Sequence, residues 1–365
     1  MLHDYGCHPR GEFMSQQAYP HHMLTEIHEQ PRAIRETIKK EGQRIAEVAE
    51  VLRERKPRFM ILAARGTSDN AGTYLRYIVG AVTGVIVAPA APSLLTAYRS
   101  KMQIEDTVVI GISQSGEATD VIEVLETSRE LGATTIALTN TADSPIVNAV
   151  EFPLLTHARK EKAVAATKTY TTALAVLYQL SACWAEREDM QEDLLRAPDA
   201  MEQVLADVEP LMEFRAERYT FMQTCTVLAR GMNYASAKEI GLKLQECCLI
   251  NPEPWSAADY MHGPIAALQP GDPVLLLAPQ DASMKPVLEV GEEVKRRGAE
   301  LVVFSDNDEA LSLATLPVKL PEMKDAFWSP MPIAVAGQLF AYYVAVNKGL
   351  NPDKAGGLRK VTLTY

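Results

Sequence analysis

The sequence predicts an α/β protein made of two tandem units, each built on a doubly wound parallel sheet. One observation is an internal repeat: Ala64-Arg65-Gly66 returns as Ala229-Arg230-Gly231, and Asp106-Thr107-Val108 as Asp272-Pro273-Val274, at nearly constant spacing. The other is that short apolar runs alternate with helical patterns in both halves, which is typical of parallel crossover units. A chain of 365 residues is long enough for two such units.

Each unit follows a similar order of elements. In the first unit we expect strands near 58–64, 85–89, 107–113, 134–139 and 151–155, with helices near 69–83, 117–131 and 165–186. In the second unit we expect strands near 224–230, 273–278, 300–304 and 315–319, with helices near 233–248, 284–297 and 330–348. A further helix near 30–54 precedes the first unit, since its apolar residues fall on one face.

The domain boundaries follow from these elements. Residues 1–29 lack periodicity and are expected to be a flexible leader. Residues 30–190 are predicted to form the first domain with its N-terminal helix, and residues 191–350 the second. Residues 351–365 form a terminal tail that is too apolar for a free end, so we expect it to dock at the active site.

Composition limits the classes of partner and compartment. A net charge of -11 argues against a nucleic-acid partner, and no apolar run is long enough to span a membrane. Five scattered cysteines are too few for a disulfide framework, so we expect reduced thiols in a cytoplasmic protein. No Gly-x-Gly-x-x-Gly follows the first strand, which argues against a nucleotide cofactor. Cys7 and the histidines of the leader could hold a metal, but a flexible leader is favoured.

Hydroxyl residues cluster where two predicted strands end and helices begin. Thr67 and Ser68 follow the first strand, while Ser113-Gln114-Ser115 and Thr119 follow a later one. Hydroxyl groups, backbone N–H groups and a helix N-terminus together suit a phosphate monoester. The alternative is that these hydroxyls only cap helices. Two clusters at neighbouring strand ends favour a small phosphorylated metabolite.

A second cluster lies on the first helix of the second unit. Glu239, Lys243 and Glu246 share one helical face by their spacing. Residues with such spacing usually form salt bridges on a solvent-exposed face. Gly241 argues against this interpretation here, because a glycine within a helix lowers helix stability by about 1 kcal/mol relative to alanine. Its presence indicates close approach of another group.

His262 stands before Gly263-Pro264 in a turn-prone stretch, where a lone histidine is more often structural. Histidine can nevertheless protonate a sugar-ring oxygen near neutral pH. Taken with the carboxylates and Lys243, it completes a set suited to proton transfer beside a carbonyl: a base, an acid and a cation for the developing oxyanion.

These motifs, in this order, resemble those of the sugar isomerase (SIS) family over residues 30–365. The resemblance implies two tandem SIS domains with flavodoxin-like doubly wound sheets. The sequence departs at two positions from the pattern of the glucosamine-6-phosphate synthases, since Ala118 stands where that pattern has threonine and Ala166 where it has serine. The motifs that carry the resemblance are Ser113-Gln114-Ser115-Gly116-Glu117, Ala166-Thr167-Lys168, the Glu239/Lys243/Glu246 helix, His262-Gly263-Pro264 and Lys360.

The resemblance also implies roles for residues. Glu246 would be the base between C1 and C2, with Lys243 assisting it and Lys360 reaching in from the tail. His262 would open the sugar ring from the partner subunit of a homodimer, and no metal or organic cofactor would take part. The residues implied to bind substrate are Thr67, Ser68, Ser113, Gln114, Ser115, Thr119, Val164, Ala165 and Glu239.

The implied reaction converts glucosamine 6-phosphate to fructose 6-phosphate and ammonia. The motif order is similar to that of the isomerase half of glucosamine-6-phosphate synthases, but the residues before the first helix are too few for a glutaminase domain. Alternatives on the same scaffold are a fructosamine-6-phosphate deglycase, a galactosamine-6-phosphate deaminase and an aminotransferase lacking glutaminase. A regulator that binds sugar phosphates without catalysis also stays open, although binding alone needs no proton shuttle.

Overall fold

A computed structural model describes residues 20–100, 102–354 and 356. In the first unit the expected strands and long helices form, and two short helices, α3 and α5, are added to them. The elements are α1 (His22–Arg55), β1 (Phe59–Ala64), α2 (Thr67–Thr83), β2 (Ile86–Pro89), α3 (Pro92–Thr96), β3 (Val108–Ile112), α4 (Thr119–Glu130), β4 (Thr134–Thr139), α5 (Pro145–Asn148), β5 (Phe152–Leu155) and α6 (Lys168–Trp184).

The second unit follows two connecting helices. The elements are α7 (Glu188–Leu194), α8 (Ala197–Arg215), β6 (Thr224–Ala229), α9 (Tyr234–Cys248), β7 (Asn251–Ser256), α10 (Ala257–Met261), β8 (Pro273–Leu277), α11 (Met284–Arg296), β9 (Glu300–Ser305), α12 (Asp308–Leu311), β10 (Leu316–Lys319) and α13 (Pro330–Asn347). No helix in the described ranges is both long enough and apolar enough to cross a bilayer.

The two sheets have the same topology, which confirms the predicted fold of two tandem doubly wound units. The first sheet has the strand order β2-β1-β3-β4-β5, and the second has β7-β6-β8-β9-β10 when read in the same sense. All neighbouring strands are parallel. This is the flavodoxin-like order, in which ligands bind beyond the carboxyl ends of the first and third strands.

Strand β7 is absent from the sequence-based prediction, because Pro252 and Pro254 lie within it and proline cannot donate to a ladder. It forms at the sheet edge, paired on one side with β6, so the missing donors are tolerated. Both prolines pack against Gly241 of α9, where an added Cβ would lie 3.5 Å from Cγ of Pro254. The close approach predicted at Gly241 is therefore that of this strand.

Helix α1 begins at His22 rather than near residue 30, which corrects the expectation of a flexible leader for residues 22–29. Met23 and Ile27 are fully buried, so this part of the helix belongs to the core. Pro31 lacks an N–H, and the carbonyl of Ile27 instead accepts a hydrogen bond from the side chain of Gln30, at 3.1 Å. Residues 1–19 of the predicted leader lie outside the described part of the chain.

One continuous hydrophobic core joins the two units. It contains side chains from both, such as Leu62 and Tyr74 of the first and Ile240 and Phe340 of the second. Helix α13 is apolar all round and packs against α8 and α9, as expected of a fully buried helix. Helix α2 of the first unit packs directly on α9 of the second, which brings the two sequence clusters together.

Candidate active site

The turn after β3 is shaped by its own hydroxyls. The Ser113 hydroxyl accepts a hydrogen bond from the N–H of Gly116 at 3.2 Å, and the Ser115 hydroxyl accepts one from the N–H of Glu117 at 3.3 Å. Gly116 has a φ of +71°, and an added Cβ would lie 2.0 Å from Oγ of Ser144. Only glycine fits there, so the turn is held in one shape directly before α4.

A salt bridge joins this turn to the one after β1. The Arg65 guanidinium lies 2.7 Å from the carboxylate of Asp120, which is buried in the first turn of α4. Helices α2 and α4 begin at these two turns, so their N-terminal ends lie at the carboxyl edge of the sheet. Ser68 and Thr119 lie in the first turns of these helices, beside the position where this fold binds anions.

The carboxylate and lysine cluster is buried rather than solvated. Glu239 and Lys243 are fully buried, while the Glu246 side chain stays 19% exposed. The Lys243 Nζ lies 2.6 Å from Oε2 of Glu246 and 3.3 Å from Oε1 of Glu239. Burying a charge costs several kcal/mol unless it is paired, and here one ammonium has two carboxylate partners. This excludes the solvated salt-bridge face as the explanation of the spacing.

The first unit completes this cluster. Thr67 donates a hydrogen bond to Oε1 of Glu239 at 3.1 Å, and Asn70 donates one to Oε2 at 2.8 Å. Lys243 in turn donates to the hydroxyl of Thr67 at 3.4 Å. Thr67 therefore connects the β1 turn to α9, in addition to the phosphate contact predicted for it. Glu239 is held by both units and is less open to a substrate than Glu246.

Burial raises the pKa of Glu239, against the opposing effects of Lys243 and Asn70. Burial alone would lower the pKa of Lys243, but Glu239 and Glu246 together raise it above its usual value. The Lys243 side chain thus carries a positive charge at neutral pH. Burial also raises the pKa of the neighbouring Cys247 thiol to about 12, so this thiol is neutral there and is not a nucleophile.

The segment before α6 is organised by Glu161, a buried residue that the sequence analysis did not single out. Its carboxylate accepts hydrogen bonds from the N–H groups of Thr167 and Thr169, at 3.0 and 3.1 Å. Val164 and Ala165, predicted to line the sugar, lie inside this folded segment; Ala165 is fully buried and Val164 is partly exposed. No local pattern in the sequence predicts the hydrogen bonds of Glu161 with Thr167 and Thr169.

His262 lies apart from the cluster at the exposed end of α10. Between described residues, no hydrogen bond or ion pair joins it to Glu239, Lys243 or Glu246. Lys360 lies outside the described part of the chain. In the ranges that the structure covers, no three histidine, cysteine or carboxylate side chains are arranged to hold a metal ion.

Asn70 is a site residue that the sequence could have revealed. It follows Thr67 by three positions in α2 and so shares its helical face. Its partner Glu239 lies in the other unit, so the contact itself depends on the packing of α2 on α9. Arg65 and Asp120 were missed for the same reason, because a salt bridge between two turns leaves no periodic signal.

Comparison with known proteins agrees with this architecture. The SIS domain matches residues 53–182 and 223–348, which contain the two sheets. The glutamine–fructose-6-phosphate aminotransferase (isomerizing) of Thermococcus kodakarensis is 34% identical over 363 residues, covering 96% of this chain and 59% of the relative. The chain thus spans less than two thirds of that relative's length.

Two solved structures share the fold. The C-terminal domain of glucosamine-fructose-6-phosphate aminotransferase from Francisella tularensis has a TM-score of 0.84 at 26% identity, covering 93% of this chain and 99% of that one. Glucosamine-6-phosphate deaminase from Thermotoga maritima has a TM-score of 0.75 at 19% identity, covering 94% and 100%. The second likeness concerns the fold alone. With both of its sheets matched, the chain belongs to the SIS domain family.

Proposed function

We propose that this protein is an amino-sugar-phosphate isomerase and deaminase that converts glucosamine 6-phosphate to fructose 6-phosphate and ammonia. The observation that carries the proposal is the Lys243–Glu246 pair, in which a fully buried ammonium holds a partly exposed carboxylate at 2.6 Å. A binding module needs no such buried charge, whose desolvation is costly. An enzyme that moves a proton beside a carbonyl needs both groups.

The phosphate is proposed to bind at the two turns at the carboxyl edge of the first sheet. The N-termini of α2 and α4 supply backbone N–H groups and the positive end of two helix dipoles. Ser68, Ser113, Gln114, Ser115 and Thr119 supply side-chain polar groups near the anion. Thr67 joins this site to α9, so a sugar held by its phosphate at these turns would extend toward Glu246.

The chemistry then follows from the cluster on α9. After ring opening, the Glu246 carboxylate removes the proton from C2 of the open-chain amino aldehyde and returns it to C1. The Lys243 ammonium stabilises the negative charge that develops on the O1 oxygen during this transfer. The O1 oxygen then takes up a proton and the amine gives one up, so the product is a 2-imino sugar. Water adds at C2, ammonia leaves, and the C2 carbonyl of fructose 6-phosphate forms.

Ring opening is assigned to His262 of a second subunit. The His262 side chain is exposed, and among the described residues it forms no hydrogen bond to Glu239, Lys243 or Glu246 of the same chain. This supports a homodimer in which each active site takes its histidine from the partner. Lys360 is proposed to approach the sugar from the terminal tail, where its amine can form a Schiff base with a ketose.

A second candidate is favoured by the aminotransferase relative. The same isomerisation, run from fructose 6-phosphate toward the amino sugar, is the step that an isomerase half of such an enzyme would supply. In that case the protein would need ammonia from a partner or from a segment beyond this sequence. The two candidates share every residue assigned above and differ in the source or fate of ammonia.

The product assay tests the proposal. Purified protein is incubated with glucosamine 6-phosphate, and ammonia and fructose 6-phosphate are measured together. We expect both products in equal amounts, loss of activity in Glu246→Gln, and wild-type activity in the control Glu309→Gln, which lies on exposed α12. Equal activity in Glu246→Gln and the wild type would contradict the mechanism. Amino-sugar synthesis from fructose 6-phosphate and an ammonium salt, without net deamination, would favour the second candidate.

A substrate panel separates the remaining alternatives on this scaffold. Fructosamine 6-phosphates and galactosamine 6-phosphate share the phosphate group and differ at the amine or at the C4 hydroxyl. We expect glucosamine 6-phosphate to give the highest kcat/KM. A higher value for either competitor would reassign the substrate and leave the roles of Glu246 and Lys243 in place.

A further inference from the structure

We propose that the first two turns of α1 couple the C-terminal segment to the loop that lines the sugar, with Asp353 and Glu26 as positioning residues. The inference rests on the proposed function in one respect only, the assumption that Val164 and Ala165 face the substrate. The mechanical link between Asp353 and the loop is a property of the fold and can be measured without any substrate.

Asp353 caps the start of α1 from the far end of the chain. Its two carboxylate oxygens accept hydrogen bonds from the N–H groups of His22 and Met23, both at 2.8 Å. The first N–H groups of a helix have no partner within the helix, and a negative charge there is favourable. The side chain of the N-cap residue His21 makes no such bond, so among the described residues α1 takes this cap from the C-terminal segment.

The same turn touches the base-bearing helix. Met23 is fully buried, and its sulfur lies 3.7 Å from the sulfur of Cys247, the residue after Glu246. His21 lies 2.9 Å from the hydroxyl of Tyr342 on α13. The start of α1 is thus packed between the C-terminal segment and the second unit.

One turn further along, Glu26 holds the loop of the first unit. Its buried carboxylate accepts hydrogen bonds from the N–H groups of Lys162 and of Ala163, the latter at 3.2 Å. These two residues directly precede Val164 and Ala165. A carboxylate that accepts two consecutive backbone N–H groups determines where the loop lies.

Glu29, one turn beyond Glu26, anchors the other end of the loop. It pairs at 2.5 Å with Lys168, a buried residue at the start of α6. Three carboxylates therefore connect these parts of the chain. Asp353 joins the C-terminal segment to the start of α1, and Glu26 and Glu29 join α1 to the two ends of the loop. A displacement of the α1 start reaches the loop through Glu26, although Asp353 does not touch the loop.

Hydrogen–deuterium exchange tests the coupling. The variants are Asp353→Asn, Glu26→Gln and their combination. Glu36→Gln is the control, because Glu36 contacts the same loop only through the side chain of Arg159. We expect Asp353→Asn to speed exchange at His22 and Met23 and, by about tenfold, at Lys162 and Ala163. Asp353→Asn keeps one acceptor oxygen and loses the charge, whereas Asp353→Ala removes both acceptors and should give a larger effect.

Unchanged exchange at Lys162 and Ala163 in Asp353→Asn would overturn the proposal, since Asp353 would then be a local cap only. Amides of the central strand β8 report global unfolding and should exchange as in the wild type. If their exchange also rises, an increase at Lys162 and Ala163 no larger than that at β8 would likewise overturn the proposal. In the double variant the increase at the loop should be smaller than the product of the single effects, and a simple product would also contradict coupling.

A kinetic measurement connects the link to the substrate. Asp353→Asn and Glu26→Gln should each raise KM for glucosamine 6-phosphate several-fold with a smaller change in kcat, because the loop binds the sugar in both ground and transition states. Coupled exchange with no effect on KM would keep the mechanical link and remove its role in binding. Coupled exchange in a protein inactive on every sugar phosphate would reject the proposed function alone.

Discussion

The Asn70 side chain of the first unit donates a 2.8 Å hydrogen bond to Glu239, a fully buried residue of the second unit. This contact belongs to a polar seam between α2 and α9, which also contains the Thr67–Glu239 bond and the contacts of Lys238 with Asp69 and Thr73. Since the turns proposed to bind phosphate belong to one unit and the proposed base to the other, the seam sets the distance between these turns and Glu246. The proposed active site therefore depends on the packing between two copies of one fold.

Removing the Asn70 donor should weaken the protein. Asn70→Ala leaves one oxygen of the Glu239 carboxylate buried without this partner, at a cost of about 1–3 kcal/mol in the free energy of unfolding. Urea denaturation measures the change. Asn148→Ala, an exposed asparagine of the same unit, should change the free energy of unfolding by less than about 0.5 kcal/mol. Equal stability of Asn70→Ala and the wild type would show that the bond does not hold the units.

The raised pKa of Glu239 predicts a direction for the pH dependence of stability. A carboxyl whose pKa is higher in the folded than in the unfolded protein binds more protons when folded, so its stabilising contribution is lost as pH rises above 4.5. The stability of the wild type relative to Glu239→Gln should therefore fall between pH 4.5 and 7.5. Urea denaturation at several pH values checks this, with exposed Glu253→Gln as the control; a relative stability that rises with pH would contradict it.

Gly116 should not tolerate a side chain. An alanine there combines a φ of +71° with a Cβ 2.0 Å from Oγ of Ser144, so the turn must move. We expect Gly116→Ala to raise KM for the sugar phosphate at least about tenfold and to destabilise the protein. Gly84→Ala is the matched control, because Gly84 has a φ of +74° with nothing within 4 Å of an added Cβ. It should lose stability by about 1 kcal/mol with KM unchanged. An unchanged KM in both variants would mean that the 113–116 turn does not bind the phosphate.

The proposed contribution of His262 to the active site of the partner subunit predicts complementation. Glu246→Gln and His262→Ala should each be inactive alone. Mixed after co-refolding or co-expression, half of the dimers contain one of each chain, and each such dimer has one intact site, so activity should return to about a quarter of the wild type. No recovery in verified mixed dimers would place His262 in the site of its own chain.

Much of the fold could be predicted from the sequence, because the repeat and the apolar runs are local patterns. The central strands β3 (Val108–Ile112) and β4 (Thr134–Thr139) follow continuous buried runs, which carry their own signal. Strand β7 could not be predicted, since its prolines argue against a strand and the contacts that stabilise it, the pairing with β6 and the packing on α9, depend on the tertiary fold. The start of α1 was misplaced because its cap, Asp353, comes from the other end of the chain.

The candidate site likewise contains residues that local sequence patterns predict and contacts that they do not. Glu239, Lys243 and Glu246 could be grouped because they lie on one helix, and Ser113 and Ser115 because they lie in one turn. Contacts that join distant elements left no such pattern: Asn70 with Glu239, Arg65 with Asp120, and Glu26 with the loop before Val164. Long-range hydrogen bonds are chosen by packing, which a spacing rule does not contain.

The most direct test of the central claim follows the C2 proton itself. Glucosamine 6-phosphate carrying deuterium at C2 is converted by the wild type and by Glu246→Gln, and the rate and the label in fructose 6-phosphate are measured. The account predicts a slower rate than with unlabelled substrate, part of the deuterium at C1 of the product, and no turnover in Glu246→Gln. Release of ammonia with no label at C1 and with an undiminished rate in Glu246→Gln would contradict it.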